Sequence, residues 1–433
     1  MTDSYFISKT PHRSSDAWYK VGPIDLGLHL LFVAALFQLS SSVAAAYVSS
    51  FFVIIATSLL MWGSLHGMSR RWHGVVVPIS VIIGAVVMAF AVIVILMAAV
   101  LYDGTIVAKI RAFSPYLWSL IAMGGIDEKE WNRVMRAFRV HALIGTLSFI
   151  LVLIFGGISD YSNRASFFTE DGSYASPTVW CRQLMYSYPV LLILLPRETW
   201  FWRCVGIAVT LSMTVWAILS QFRSALVLGV GLAVVLSLYA WYRARCIGWL
   251  FQSAAIISLL FCFSVGSILI FHDSVPKFDA IETAWTQIVG RFTGDASEDE
   301  DTGLKNVRYV AADEYLRNLT LSRFILGDEG EWISASGIVM HVGHLRYIVY
   351  GGLPTLIAIW LLLYWQGCWY LLTSRQLAVL SAASIAAMHL IQAIPAGMLG
   401  EVPQTAMLFI CACYCWHASA SKRLSPRISY YER

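Results

Sequence analysis

The chain has 433 residues, 58% of them hydrophobic and only 13% charged, with a mean hydropathy of +0.68. A soluble domain carries about a quarter of its residues as charges, so water is not the expected main solvent. A formal net charge of +4 with scattered basic residues gives no nucleic-acid surface, and the lack of a Walker loop, HExxH or GxSxG element leaves nucleotide hydrolysis and zinc or serine hydrolase chemistry unsupported.

Residues 1–23 are polar and contain no apolar h-region with a cleavage site, so this segment is expected to remain uncleaved and cytoplasmic. Apolar runs lie near 24–42, 45–66, 74–102, 109–126, 140–158, 178–196, 203–221, 223–241, 246–270, 347–366, 377–397 and 403–419. Runs of roughly 18 to 28 residues, rising about 1.5 Å each, can cross a hydrocarbon core of about 30 Å. Backbone satisfaction in lipid makes them helices. The run at 109–126, which begins with Lys109 and Arg111 and contains Pro115, is the weakest and is required chiefly by the orientation of the later runs. The expected fold is an all-α polytopic membrane protein of about 12 transmembrane helices. It comprises a transmembrane bundle over 24–271, a large periplasmic loop domain over 272–345, a second transmembrane bundle over 346–419 and a cytoplasmic tail over 420–433.

Charge supports this threading. With the amino terminus inside, the inner turns hold Arg70 and Arg71; Lys129, Arg133, Arg136 and Arg139; Arg197 and Arg203; Arg243 and Arg245; and Arg375, with Lys422, Arg423 and Arg427 in the tail. This is the positive-inside pattern of a bacterial inner-membrane protein with both termini cytoplasmic. Trp200 with Trp202, Tyr239 with Trp241 and Tyr242, and Tyr364 and Trp365 with Trp369 and Tyr370 fall at the interfaces where amphipathic rings prefer to sit. Cys411, Cys413 and Cys415 occupy every second position of a helix and fan over its faces, which suits packing better than a tetrahedral metal site.

The outward segments carry Arg164, Arg182, Arg223, Arg291, Arg308, Arg317, Arg323 and Arg346. Positive charge is disfavoured there, and guanidinium binds phosphate oxygens in a bidentate fork, so an anionic ligand at the outer boundary is expected. Arg317 comes four residues after Asp313 and reads as a surface pair on an amphipathic helix striped by Leu304, Val307, Ala311 and Tyr315. Arg182 and Arg323 are open to snorkelling. Arg223 lies between two apolar runs with almost no loop, where a charge is expensive unless it faces a polar cavity. His341 and His344 stand three apart beside Arg346 and are open to three readings: a proton acceptor, a packing residue or a metal ligand. His29, His66 and His389 read as helix-packing histidines bonded to neighbours, and Glu401 as an outer-turn residue.

Three stretches resemble the O-antigen polymerase and ligase superfamily, the Wzy-type polymerases and WaaL-type ligases of bacterial surface polysaccharides. NRASFFTEDGSYAS at 163–176 is similar to the polymerases' arginine and succeeding F-x-E-P-S-x-x-A, through Arg164, Phe168, Glu170, Ser173 and Ala175, with Asp171–Gly172 in place of the proline. QFRSALVLGVGLAVVL resembles an S-R-[SG]-A-L element, with Arg223 as its arginine. HVGHLRYIVYGGLPTL keeps the ligases' histidine-to-glycine distance from His341 to Gly352. It also matches the frame of the polymerases' D-x-G-Y-x-R through His341, Gly343, His344 and Arg346, with histidine in place of aspartate and tyrosine.

The resemblance implies a metal-independent and cofactor-free transferase. Its donor is a glycan on undecaprenyl diphosphate, its acceptor a sugar hydroxyl, and it works among membrane lipids with a chain-length regulator as a protein partner. The implied catalytic residues are His341 as base, with Glu170 and His344 behind it, and Arg223 at the diphosphate. Arg164, Arg223, Arg291, Arg308, Arg346 and His344 are implied to bind diphosphate and glycan. Polymerisation is favoured over transfer to lipid A core by the 163–176 segment and the HVGHLR frame; a transporter or flippase is the reading of a different class, against which no inverted repeat or paired broken helices is evident.

Overall fold

The structure is a computed structural model that describes residues 22–37, 43–71, 79–101, 128–155, 158–159, 166–168, 174–175, 188–219, 225–246, 248–249, 251–252, 286, 312–327, 343–393, 408 and 410–418. These are nearly all helical. In chain order they form α1 (Pro23–Phe37), α2 (Val43–Arg71), α3 (Ile79–Leu101) and α4 (Glu128–Phe155), then α5 (Tyr188–Arg197) and α6 (Trp200–Leu219). A π-helical turn at Ala225–Gly231 leads into α7 (Leu232–Arg243). Next come α8 (312–317), α9 (Leu321–Leu326) and α10 (Gly343–Ile359), a second π turn at Trp360–Tyr364, α11 (Trp365–Thr373) and α12 (Leu377–Gln392).

Among the described residues, two helices, Leu226–Arg243 and Gly351–Thr373, are long and apolar enough to cross a membrane. Helix α3 has 23 residues and no charge in ISVIIGAVVMAFAVIVILMAAVL. It buries Val81, Met88 and Ala91 but leaves Ile82, Val86, Phe90 and Ile93 about half exposed or more. A helix apolar on its exposed as well as its buried face suits lipid rather than water. The arrangement is compatible with a polytopic membrane protein. The expected run at 109–126 and most of the loop at 272–345 lie outside the described residues.

Helix α12 is the buried centre, with Leu377 and every residue from Val379 to His389 inaccessible or nearly so. Its alanines and serines let neighbours approach closely. A Cβ on Gly367 of α11 would come within 2.4 Å of the Ala386 Cβ, and the Ser384 hydroxyl donates back to the Leu380 carbonyl at 2.7 Å rather than remaining bare.

One departure from the all-helical expectation is a small antiparallel sheet, in the order β1 (Ile158–Ser159), β2 (Ser166–Phe168), β3 (Tyr174–Ala175). Phe168 pairs with Tyr174, and the intervening sequence contains Asp171–Gly172, a pair suited to hairpin turns. Aromatic residues on either side of a D-G pair favour strands, which a reading tuned to long apolar runs passes over.

The straight helix expected over 347–366 is broken. Gly351 (φ −150°, ψ 17°) and Gly352 (φ 71°, ψ −177°) are non-helical within α10. The His344 ring therefore lies 5.8 Å from Trp360, whereas an unbroken helix would separate the two by about 24 Å. Residues 343–350 fold back along the helix beyond the break. The cause is written in Gly351–Gly352–Leu353–Pro354: glycine supplies the left-handed conformation, and Pro354 cannot continue the preceding hydrogen-bond ladder but readily opens a new helix. The Thr355 hydroxyl donates to the Gly351 carbonyl at 2.8 Å.

The long loop docks on this break. Ala312 and Tyr315 of α8 pack with Val349, flanked by Leu319 and Leu345. Tyr315 is thus buried as the amphipathic stripe requires; Leu304, Val307 and Ala311 of that stripe lie outside the described residues. Arg317 pairs with Asp313 at 2.7 Å, both exposed, in keeping with the four-residue spacing. Helix α9, capped by the Thr320 hydroxyl, ends at Gly327 (φ 81°), where a Cβ would lie 2.8 Å from the Val349 carbonyl oxygen. A Cβ on Gly352 would lie 1.9 Å from the Ile325 carbonyl oxygen. Two backbones meet here with no room for a side chain. Gly352→Ala combines a disfavoured φ with this clash and is expected to cost at least about 2 kcal/mol, read as a lowered thermal unfolding midpoint of the detergent-solubilised protein beside a neutral Gly248→Ala control.

Candidate functional site

Two groups of polar and aromatic side chains tie helix ends together among the described residues. The first joins the chain ends assigned to the inner side. Arg139 of α4 pairs with Glu198, its Nε donating at 3.2 Å, and lies over the Trp202 ring at 5.8 Å. Arg203 donates to the carbonyls of Leu195 (3.1 Å) and Pro196 (3.2 Å) and stacks on Trp249 at 4.7 Å. Trp241 donates to Ile193 at 2.8 Å, and Arg243 to the Leu372 carbonyl at the end of α11. Trp131 stacks on Tyr414 at 4.3 Å. These cations and rings neutralise a buried carboxylate and cap exposed helix carbonyls, which is a structural task.

The second is at the far end of α12, where residues His389–Gln392 meet both π turns and the folded-back segment of α10. A π turn widens the helix and turns a carbonyl out of its ladder; the Leu228 carbonyl in Ala225–Gly231 accepts from Gln392 Nε2 at 2.9 Å. From the other π turn, the Tyr364 hydroxyl meets His389 Nδ1 at 2.6 Å. His344 Nε2 bonds the Leu390 carbonyl at 3.2 Å. A carbonyl only accepts, so Nε2 carries the hydrogen, and the buried Nδ1 has no hydrogen-bond partner among the described residues. The rings of Tyr347, Trp360 and Tyr364 surround it at 6.0, 5.8 and 6.3 Å.

Of the residues singled out in sequence, His344 is therefore turned inward onto α12. Arg346 lies on the backbone of α10 between His344 and Tyr347. Arg164, Glu170, Arg223, Arg291, Arg308 and His341 lie outside the described residues, as do Arg182 and Glu401. His389 is buried and bonded to a neighbour, in keeping with its place in an apolar run. Tyr347, Tyr364 and Gln392 join the junction without a motif to mark them. Tyr364 is 1% exposed rather than interfacial; a hydroxyl within an apolar bundle is the signal that a partner is needed. Cys411, Cys413 and Cys415 are buried thiols, and among the described residues no group of histidine, cysteine and carboxylate side chains is arranged to hold a metal ion.

No family model, curated protein or solved structure matches this chain. Gln392→Leu removes the side-chain donor to the Leu228 carbonyl and is expected to destabilise by about 0.5–1.5 kcal/mol, with Gln392→Glu less tolerated still because it buries a charge; thermal unfolding of the purified variants orders them.

Proposed function

We propose that the chain is a membrane glycosyltransferase that polymerises undecaprenyl-diphosphate-linked oligosaccharide repeats on the periplasmic side of a bacterial inner membrane, with about twelve spans and both termini cytoplasmic. The observation that carries this reading is the meeting of two of the three family-like stretches at one end of α12. The π turn that opens two residues after Arg223 is tied to Gln392, and the segment that opens two residues after His341 is tied to Leu390. The opposite end of the bundle holds Arg139, Arg203 and Arg243 together, which supports the sidedness drawn from charge.

In the proposed reaction an acceptor sugar hydroxyl attacks the anomeric carbon of the donor glycan. The bond from that carbon to the diphosphate oxygen breaks, a glycosidic bond forms, and undecaprenyl diphosphate leaves with the electron pair. Arg223, with Arg291 or Arg308, stabilises charge growing on the leaving oxygen. His341 takes the hydroxyl proton, with Glu170 behind it as a second base, and Arg164 and Arg346 line the glycan and diphosphate site. A loop over 272–345 that excludes water would spare the donor from hydrolysis. A chain-length regulator would set how many cycles occur.

Ligation of finished polymer to lipid A core is the second reading, favoured by one observation: Gly352, at the ligase-like distance from His341, sits at a left-handed φ where only glycine fits. Purified protein given lipid-linked repeats alone separates the two. A ladder of products supports polymerisation, and no product until core acceptor is added supports ligation. Arg223→Ala is expected to cut chain growth by about 10²- to 10³-fold at unchanged membrane abundance, and His341→Ala by about 10²- to 10⁴-fold; wild-type ladders from Arg223→Ala would sink the assignment.

A further inference from the structure

We infer that His344 is a positioning residue of the outer site rather than a base or an anion ligand, acting with the Tyr364–His389 pair to hold the segment that begins beside His341 against the end of α12. This rests on the proposed transferase reading for its activity readout and on the geometry alone for the rest. Helix 343–350 is short and ends at a glycine break, so it has no ladder continuing into the membrane to fix its angle. Two side-chain ties replace that ladder. His344 donates Nε2–H to the Leu390 carbonyl at 3.2 Å, and its ring packs edge-on at 6.3 Å against Tyr364, which is itself bonded to His389 at 2.6 Å. Both ties end on consecutive residues of the most buried helix in the bundle. A ring whose one nitrogen is committed to a backbone carbonyl, and whose other is enclosed by three aromatic side chains, is badly placed to accept a proton from a sugar or to grip a diphosphate. It is well placed to fix the direction in which its own backbone leaves the membrane.

The role demands a donor at the position of Nε2 and no titratable group, which a glutamine supplies and a leucine does not. Expected for His344→Gln in lipid nanodiscs is hydrogen–deuterium exchange across 343–350 within about two-fold of wild type and turnover in the ladder assay within about three-fold. Expected for His344→Leu is exchange at least about ten-fold faster over the same segment, with turnover down by about ten-fold or more and donor KM unchanged. Tyr364→Phe, which keeps the ring and removes only the hydroxyl, gives a milder shift in the same direction and serves where the leucine variant does not fold. If glutamine is as inactive as leucine while its exchange stays normal, His344 is a chemical or binding group and the inference falls. It falls equally if neither His344→Leu nor Tyr364→Phe changes exchange over 343–350. A wild-type protein that makes no ladder refutes the transferase reading alone, because the exchange comparison still decides whether His344 holds this segment.

Discussion

A backbone carbonyl turned out of its helix inside an apolar bundle costs free energy until something donates to it. This protein turns several out. Each π turn displaces the ladder, and the break at Gly351–Gly352 interrupts it. The donors that answer are few and specific: Gln392 for Leu228, Thr355 for Gly351, and His344 for Leu390 at the C-terminal end of α12. Because the Gln392 and His344 bonds both fall at one end of the central helix, the first π turn and the folded-back segment cannot be moved independently. The irregular end and the regular end of the bundle are thereby set apart.

The regular end is organised by charge. Arg139, Arg203 and Arg243 each find a carboxylate, a helix-terminal carbonyl or an indole face. Arginine suits this because its planar fork can make several bonds while its stem lies along apolar surface. These cationic residues thus stitch neighbouring helices together. At the other end of the bundle the same residue type carries a different expectation. A charge such as Arg223, set between two apolar runs with almost no loop, is costly unless a polar cavity or a ligand meets it.

Helices were legible because apolar runs long enough for lipid have few competing interpretations, and the surface pair Asp313–Arg317 was legible from spacing alone. The break in α10 was written in Gly-Gly-Leu-Pro but was masked by the hydrophobicity on both sides, since a scan for apolar length does not register a reversal. Similarly, Phe167, Phe168 and Tyr174 counted as part of an outer loop, although two short aromatic stretches flanking Asp-Gly favour a hairpin. The junction of Tyr347, Tyr364 and His389 was not legible because its members are far apart in sequence. Their rings gather around His344 only once α10 has folded back. His344 was legible as a polar residue at the membrane boundary, but its direction was not.

The contact between Gly327 and Gly352 has a consequence for how such a protein changes over time. Where these two glycines bring backbone against backbone, the chain leaves a fixed point and returns to it. Everything between them is a closed excursion whose ends are anchored regardless of its contents. Doubling the length of such an excursion costs only about 0.6 kcal/mol in closure entropy. Added length just after Gly327 would therefore be cheap, whereas a side chain at Gly327 or Gly352 would prise the two backbones apart.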